Sequence, residues 1–174
     1  QLPKQWSVLS HLQELSVCNC YVCGQLPVGW SALANLRILE VAGEFQLSGQ
    51  LPVQWSALAK LQDLPLPGHE LSGPLPEQWS ALTHLSKLDL SWNRLSGQLP
   101  EQWSALSQLH ELHLGGNELS GALPEQWSAL SSLQTLEVRQ NSLQGHLPYQ
   151  WSVLVQLQLL DLSWNSNLLG QLPE

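Results

Sequence analysis

Leucines recur along this chain at two interleaved spacings, and each spacing assigns an element. In the stretch starting at Leu85, apolar Leu85, Leu88 and Leu90 alternate with polar Ser86, Lys87, Asp89 and Ser91. Leu88 and Leu90 lie two apart, as a short strand with one buried face requires. Asn93 follows, its side-chain amide suited to bonding backbone groups in a turn. Leu95 returns to the interior, Gly97 supplies backbone freedom at a tight place, and Leu99-Pro100 closes a second short extended segment. Trp103 and Leu106, three apart, predict a 3-10 or irregular turn on the opposite side.

The whole pattern repeats. Leu-Pro steps begin at Leu2, Leu26, Leu51, Leu75, Leu99, Leu123, Leu147 and Leu172, at spacings of 24, 25, 24, 24, 24, 24 and 25 residues. A fixed period in this range predicts a solenoid, because each unit is too small to bury its own apolar face and must stack on its neighbours. Residues 1–174 thus read as one repeat domain of seven strand-bearing units. Asn93, Asn117, Asn141 and Asn165 form one column, while Cys20, Glu44 and His69 take the equivalent place earlier. Trp6, Trp30, Trp55, Trp79, Trp103, Trp127 and Trp151 form another, expected about one strand spacing (~4.8 Å) apart. A Trp ladder is either a sugar-stacking surface or a core column of stacked indoles, and the repeat position favours the core. Pro65 and Pro67 flank Leu66 in the third unit, and each lacks a ladder donor, so the sheet is expected to be weakest there. The chain starts and stops within a unit without a polar cap, which predicts a piece of a larger protein whose ends other repeats or chains cover.

The unit LSGxLPxQWSALxxLxxLxLxxN resembles the plant-type, 24-residue class of leucine-rich repeats over essentially the whole chain. The resemblance implies an α/β solenoid: a right-handed superhelix with a concave parallel β-sheet, second short extended segments at LSGxLP, and 3-10 or irregular convex turns. The Trp of LPxQWSAL departs from that consensus and is similar to a variant of surface or secreted repeat proteins of unicellular eukaryotes, green algae and kinetoplastids among them. Members of the family are overwhelmingly binding modules, so the resemblance implies a non-catalytic interaction domain, extracellular or at the cell surface.

Charge narrows the partner. With 14 acidic and 6 basic residues the formal net charge is −8, which argues against nucleic-acid binding. No apolar run reaches the 18 residues of a membrane span, and no phosphate-binding fingerprint occurs. The outward strand positions vary most between units. One column reads Ser16, Glu40, Pro65, Asp89, His113, Glu137, Asp161, and the other Glu14, Ile38, Asp63, Lys87, Glu111, Thr135, Leu159. Seven acids against Lys87 and His113 predict an acidic concave face, either solvated decoration or a surface for a basic partner. The candidate ligand-binding residues are Asp89, Glu111, His113, Glu137, Arg139 and Asp161, with Trp92 and Trp164 as apolar anchors at the strand exit. The partner is expected to be a protein, peptide or glycan. The alternative is a structural spacer in a wall, fibre or other assembly, which the near-identity of the units favours.

The remaining chemistry is thin. His110, Glu111 and His113 have ligand-like spacing, but alternation separates His110 from the other two and a flat sheet diverges them, so no metal is expected. The serines belong to the repeat frame, which leaves no catalytic constellation and no cofactor. Cys18, Cys20 and Cys23 are odd in number. Cys20 and Cys23 could close a small bridge, or all three are thiols in a repeat core.

Overall fold

A computed structural model describes residues 1–18, 21–42 and 46–169. Among these, seven front strands run parallel in chain order: Glu14–Cys18, Ile38–Ala42, Asp63–Pro65, Lys87–Asp89, Glu111–His113, Thr135–Glu137 and Leu159–Asp161. A second parallel sheet of seven follows the LSGxLP segments: Cys23–Gln25, Gln46–Gln50, Glu70–Pro74, Arg94–Gln98, Glu118–Gly121, Ser142–His146 and Asn167–Leu169. Between units the chain turns through five-residue 3-10 helices, Lys4–Val8 through Tyr149–Val153, each entered from a proline. The expected leucine-rich-repeat solenoid is thus present, and its second extended segments form a continuous sheet.

Period-2 alternation sends Leu88 and Leu90 inward, both fully buried, while Lys87 and Asp89 face out. Leu, Val and Trp from every coil join one cluster running the length of the stack. Leu160 is 46% exposed, whereas Leu136, one coil earlier, is fully buried.

The Trp column is core: Trp30, Trp55, Trp79, Trp103 and Trp127 are fully buried. Its spacing departs from expectation. Neighbouring ring centroids lie 6.1–6.4 Å apart with planes turned by 6–8°. The strands are only ~4.8 Å apart, so each coil is about 1.5 Å longer at the Trp side, and a turn near 7° accounts for this if ~12 Å separates the two faces. The front sheet therefore lies on the inner curve. Each buried indole also donates its Nε1–H to the proline carbonyl opening the previous unit's 3-10 turn, as Trp103 does to Pro76 at 2.9 Å and Trp127 to Pro100 at 2.9 Å. Leu could fill this space without making that bond.

The Asn column ties coils together. Asn117 Nδ2 donates to Leu90 O of the coil before and to Leu114 O of its own, both at 3.0 Å, while its Oδ1 accepts Leu95 N–H at 3.0 Å. His69, in the same column, spans one coil back through Nε2 to Val41 O at 3.0 Å. The proline seam is visible too. Pairing of Ile38–Ala42 with Asp63–Pro65 reduces to Ile38↔Asp63, whereas Glu14–Cys18 pairs with Ile38–Ala42 through five residues.

Candidate functional site

The front sheet brings most of the candidate residues into one network. Register places Asp89 and Glu137 on either side of His113, and Lys87 beside Glu111. Lys87 Nζ lies 2.7 Å from Glu111 Oε1, and Glu111 Oε2 lies 3.7 Å from His113 Nε2. His113 Nδ1 then meets Glu137 Oε2 at 2.9 Å. A chain of alternating basic and acidic side chains in contact thus crosses three coils. The hydrogen bond and charge of Lys87 hold the Glu111 carboxyl below the usual range, and Glu111 in turn raises Lys87. The expected acidic face is accordingly part-neutralised at its centre, with Glu14, Glu40, Asp63 and Asp89 left outside these pairs.

Asp89 and Asp161 are fixed in the same way by the Asp-Leu-Ser sequence. Ser91 Oγ donates to Asp89 Oδ1 at 2.6 Å with Ser91 N–H at 2.9 Å, and Ser163 does so for Asp161 at 2.6 and 3.0 Å. Those bonds from Ser163, with the Arg139 charge, hold the Asp161 carboxyl low. Arg139 Nε is 3.7 Å from Asp161 Oδ2.

Trp92 and Trp164 project at the strand exit, 50% and 82% exposed. Their backbone is the part that pattern reasoning missed. The residue before the column Asn is left-handed in each described coil from the third onward: Gly68 at φ 70°, Trp92 at 55°, Gly116 at 69°, Gln140 at 53° and Trp164 at 58°. Such a conformation costs a non-glycine residue roughly 1–2 kcal/mol. The glycines at 68 and 116 were the available signal. The Trp92 ring lies flat over Gly116, where a Cβ would come within 2.6 Å of Cε3. Arg139 crosses beside Gly115 and sets its guanidinium 5.6 Å from the Trp92 ring centroid. Trp92, Arg139 and Asp161 thus form a second chain of contacts across four coils.

Other candidates do not converge. His110 Nδ1 turns to Gln108 O at 2.7 Å and Ser86 Oγ at 3.2 Å, away from His113. Among the described residues no group of three or more His, Cys, Asp or Glu is placed to hold a metal ion, and no helix is long and apolar enough to cross a membrane. The Cys20–Cys23 pair lies outside the described residues, because Cys20 is not among them; Cys23 is exposed and Cys18 half-buried.

Two family models match, "Leucine rich repeat" over residues 107–166 and "Leucine Rich Repeat" over 84–106. No curated sequence matches. Among solved structures, the chain is similar to a TDR receptor at 35% identity and a TM-score of 0.94, covering 99% of this chain and 30% of that one. It is also similar to the ectodomain of the Arabidopsis receptor kinase HAESA in complex with the IDA peptide hormone, at 31% identity and a TM-score of 0.85, covering 94% and 27%. The ectodomain of the Arabidopsis thaliana receptor kinase SOBIR1 matches at 34% identity and a TM-score of 0.67, covering 71% and 67%. The chain therefore spans under a third of the first two proteins.

Proposed function

The chain belongs to the leucine-rich-repeat family, and from that premise we propose a non-catalytic module that binds an extended, basic peptide or protein segment on its front sheet. One observation carries this reading. Outward charge on the front strands changes from coil to coil within an otherwise constant frame, and it is organised across consecutive strands by Lys87, Glu111, His113 and Glu137. A segment laid across strands ~4.8 Å apart would meet a different pair of side chains at each step. Asp89, Glu111, His113, Glu137 and Asp161 supply the polar contacts in this reading, with Arg139, Trp92 and Trp164 at the edge. The peptide-bound HAESA ectodomain supports a peptide partner and an extracellular or cell-surface location. The LPxQWSAL variant fits a secreted or surface protein of a unicellular eukaryote.

Charge reversal tests the reading. A basic peptide selected from a displayed random library against the parent should associate roughly tenfold more slowly with Asp89→Lys/Glu137→Lys at low salt, and the difference should shrink as salt rises. Equal association rates for the two proteins would leave the front face as decoration. The near-identical LPEQWSAL units at 75–82, 99–106 and 123–130 would then favour the spacer.

A further inference from the structure

A trough runs along the flank between the second sheet and the 3-10 turns. In each coil the last residue of the second-sheet strand, a Leu-Pro step and the 3-10 turn meet at a concave corner. Stacked coil on coil, these corners make an open trough of about 1000 Å³ reaching from Val53 to Tyr149. Its floor is Leu75-Pro76, Leu99-Pro100 and Leu123-Pro124, and one wall is the uncharged set Gln50, Pro74, Gln98 and Ala122. The other wall is the first residue of each 3-10 turn. Down that column it reads Val53, Glu77, Glu101, Glu125 and Tyr149, all exposed.

Charge selects the occupant of this trough. Gln126 donates to Glu101 Oε2 at 2.9 Å, and Gln150 donates to Glu125 Oε2, so two of the carboxylates are held by the coil that follows. Among the described residues no lysine or arginine lines the trough or pairs with the three acids. Pitch selects the occupant's conformation. The Trp rings two residues further along the same turns lie 6.4 Å apart at Trp55–Trp79 and 6.3 Å apart at Trp127–Trp151. An extended chain returns a side chain to one face every two residues, about 6.6–6.8 Å. Over the four steps from Val53 to Tyr149 the mismatch is about 1–2 Å, which flexible lysine or arginine stems absorb. An α-helix returns after about 5.4 Å and a polyproline II segment after about 9.3 Å, so each falls out of step by about 4 Å or more.

We propose that this trough binds an extended basic segment of a partner protein. Three cations at alternate residues meet Glu77, Glu101 and Glu125, and an apolar residue two positions beyond each end packs on Val53 and Tyr149. None of the front strands lines the trough, so this second surface is independent of the front-sheet reading.

The test is binding of fluorescent acetyl-LTKTKTKTL-amide, whose lysines alternate, at 0.15 M salt, a concentration at which distant charges are screened. Acetyl-LTTKKKTTL-amide has the same composition and charge with the lysines out of step, and should bind at least about fivefold more weakly. The neutral analogue acetyl-LTQTQTQTL-amide should bind at least about tenfold more weakly. Glu77→Gln/Glu101→Gln/Glu125→Gln should weaken the alternating peptide at least about tenfold, because each exposed ion pair contributes up to about fivefold. All three substitutions are at exposed positions, and an unchanged circular dichroism spectrum and thermal midpoint verify folding. In ¹⁵N spectra the shifts should fall on the turns from Val53 to Tyr149 and leave the Glu111 and His113 amides unmoved. No saturable binding, equal affinity for the two lysine peptides or for the neutral one, a triple variant that binds like the parent, or shifts confined to the front strands would each overturn the proposal. Such a failure leaves the front-sheet reading to its charge-reversal experiment, and failure there leaves the trough unaffected.

Discussion

Replacing Trp103 by Phe isolates what the indole contributes beyond apolar bulk. Trp103 is fully buried, and its Nε1–H donates to Pro76 O at 2.9 Å. That carbonyl also accepts the Trp79 backbone N–H at 3.1 Å. Losing the indole donor therefore leaves Pro76 O with one partner rather than none, and the cost falls at the lower end of the usual range, about 1 kcal/mol. Phe also leaves unfilled space beside the remaining ring of the column, worth about another 1–2 kcal/mol. The sum, ~2–3 kcal/mol, should appear in urea unfolding as a lower midpoint with an unchanged slope. Trp103→Leu, which restores the residue of the plant-type consensus, should cost more because it removes more volume and the same bond. A Trp103→Phe variant within about 0.5 kcal/mol of the parent would refute the claim that the indole N–H closes the gap to the previous coil. A changed slope would instead mean that the coils on either side no longer unfold together.

Two further outcomes follow from the strand-exit turn and the Asn column. Gly116→Ala places a Cβ 2.6 Å from the Trp92 ring at φ 69°, so it should lose about 1–2 kcal/mol and displace the indole, seen as a shifted Trp92 N–H resonance. Burial lowers the His69 pKa, and its bond to Val41 O opposes this only in part. The unfolded chain therefore binds the proton more readily, so stability should fall as pH drops below the ordinary histidine value of about 6.5. His69→Asn should remove that part of the slope in unfolding midpoints measured from pH 7.5 to 5. An identical slope in both proteins would refute the assignment.

The fold was legible because its determinants are local and repeated. Leu88 and Leu90 alone define a strand weakly, but seven copies at one period leave few other ways to bury them. Exposure of Trp92 and Trp164 was legible for the same reason, since both sit beyond the last inward position of the strand. Pairing between coils was not. Nothing in the spacing shows that Arg139 reaches back over Gly115 to Trp92, two coils away, because that depends on a left-handed turn and on the missing Cβ of Gly116. The Trp spacing was misjudged for a related reason: a strand repeat sets distances in the sheet, while curvature stretches them on the far side.

The same geometry bears on whether the chain binds or merely spans. A spacer needs coils joined by the buried frame, and the indole-to-proline bonds and Asn bridges supply that without any contribution from the outward columns. The proline seam works against uniform stiffness, since Ile38–Ala42 and Asp63–Pro65 share one paired position. The outward columns, by contrast, carry features the frame does not require: a chain of polar contacts from Lys87 to Glu137, two carboxylates fixed by serines, and indoles held at φ 55° and 58° where glycine would be free of strain. The left-handed indoles are kept at a cost to folding, and the paired and serine-held carboxylates lie on the front strands beside them. A ligand contacting these groups together would account for that cost, as the proposed peptide-binding reading requires, whereas a spacer would not.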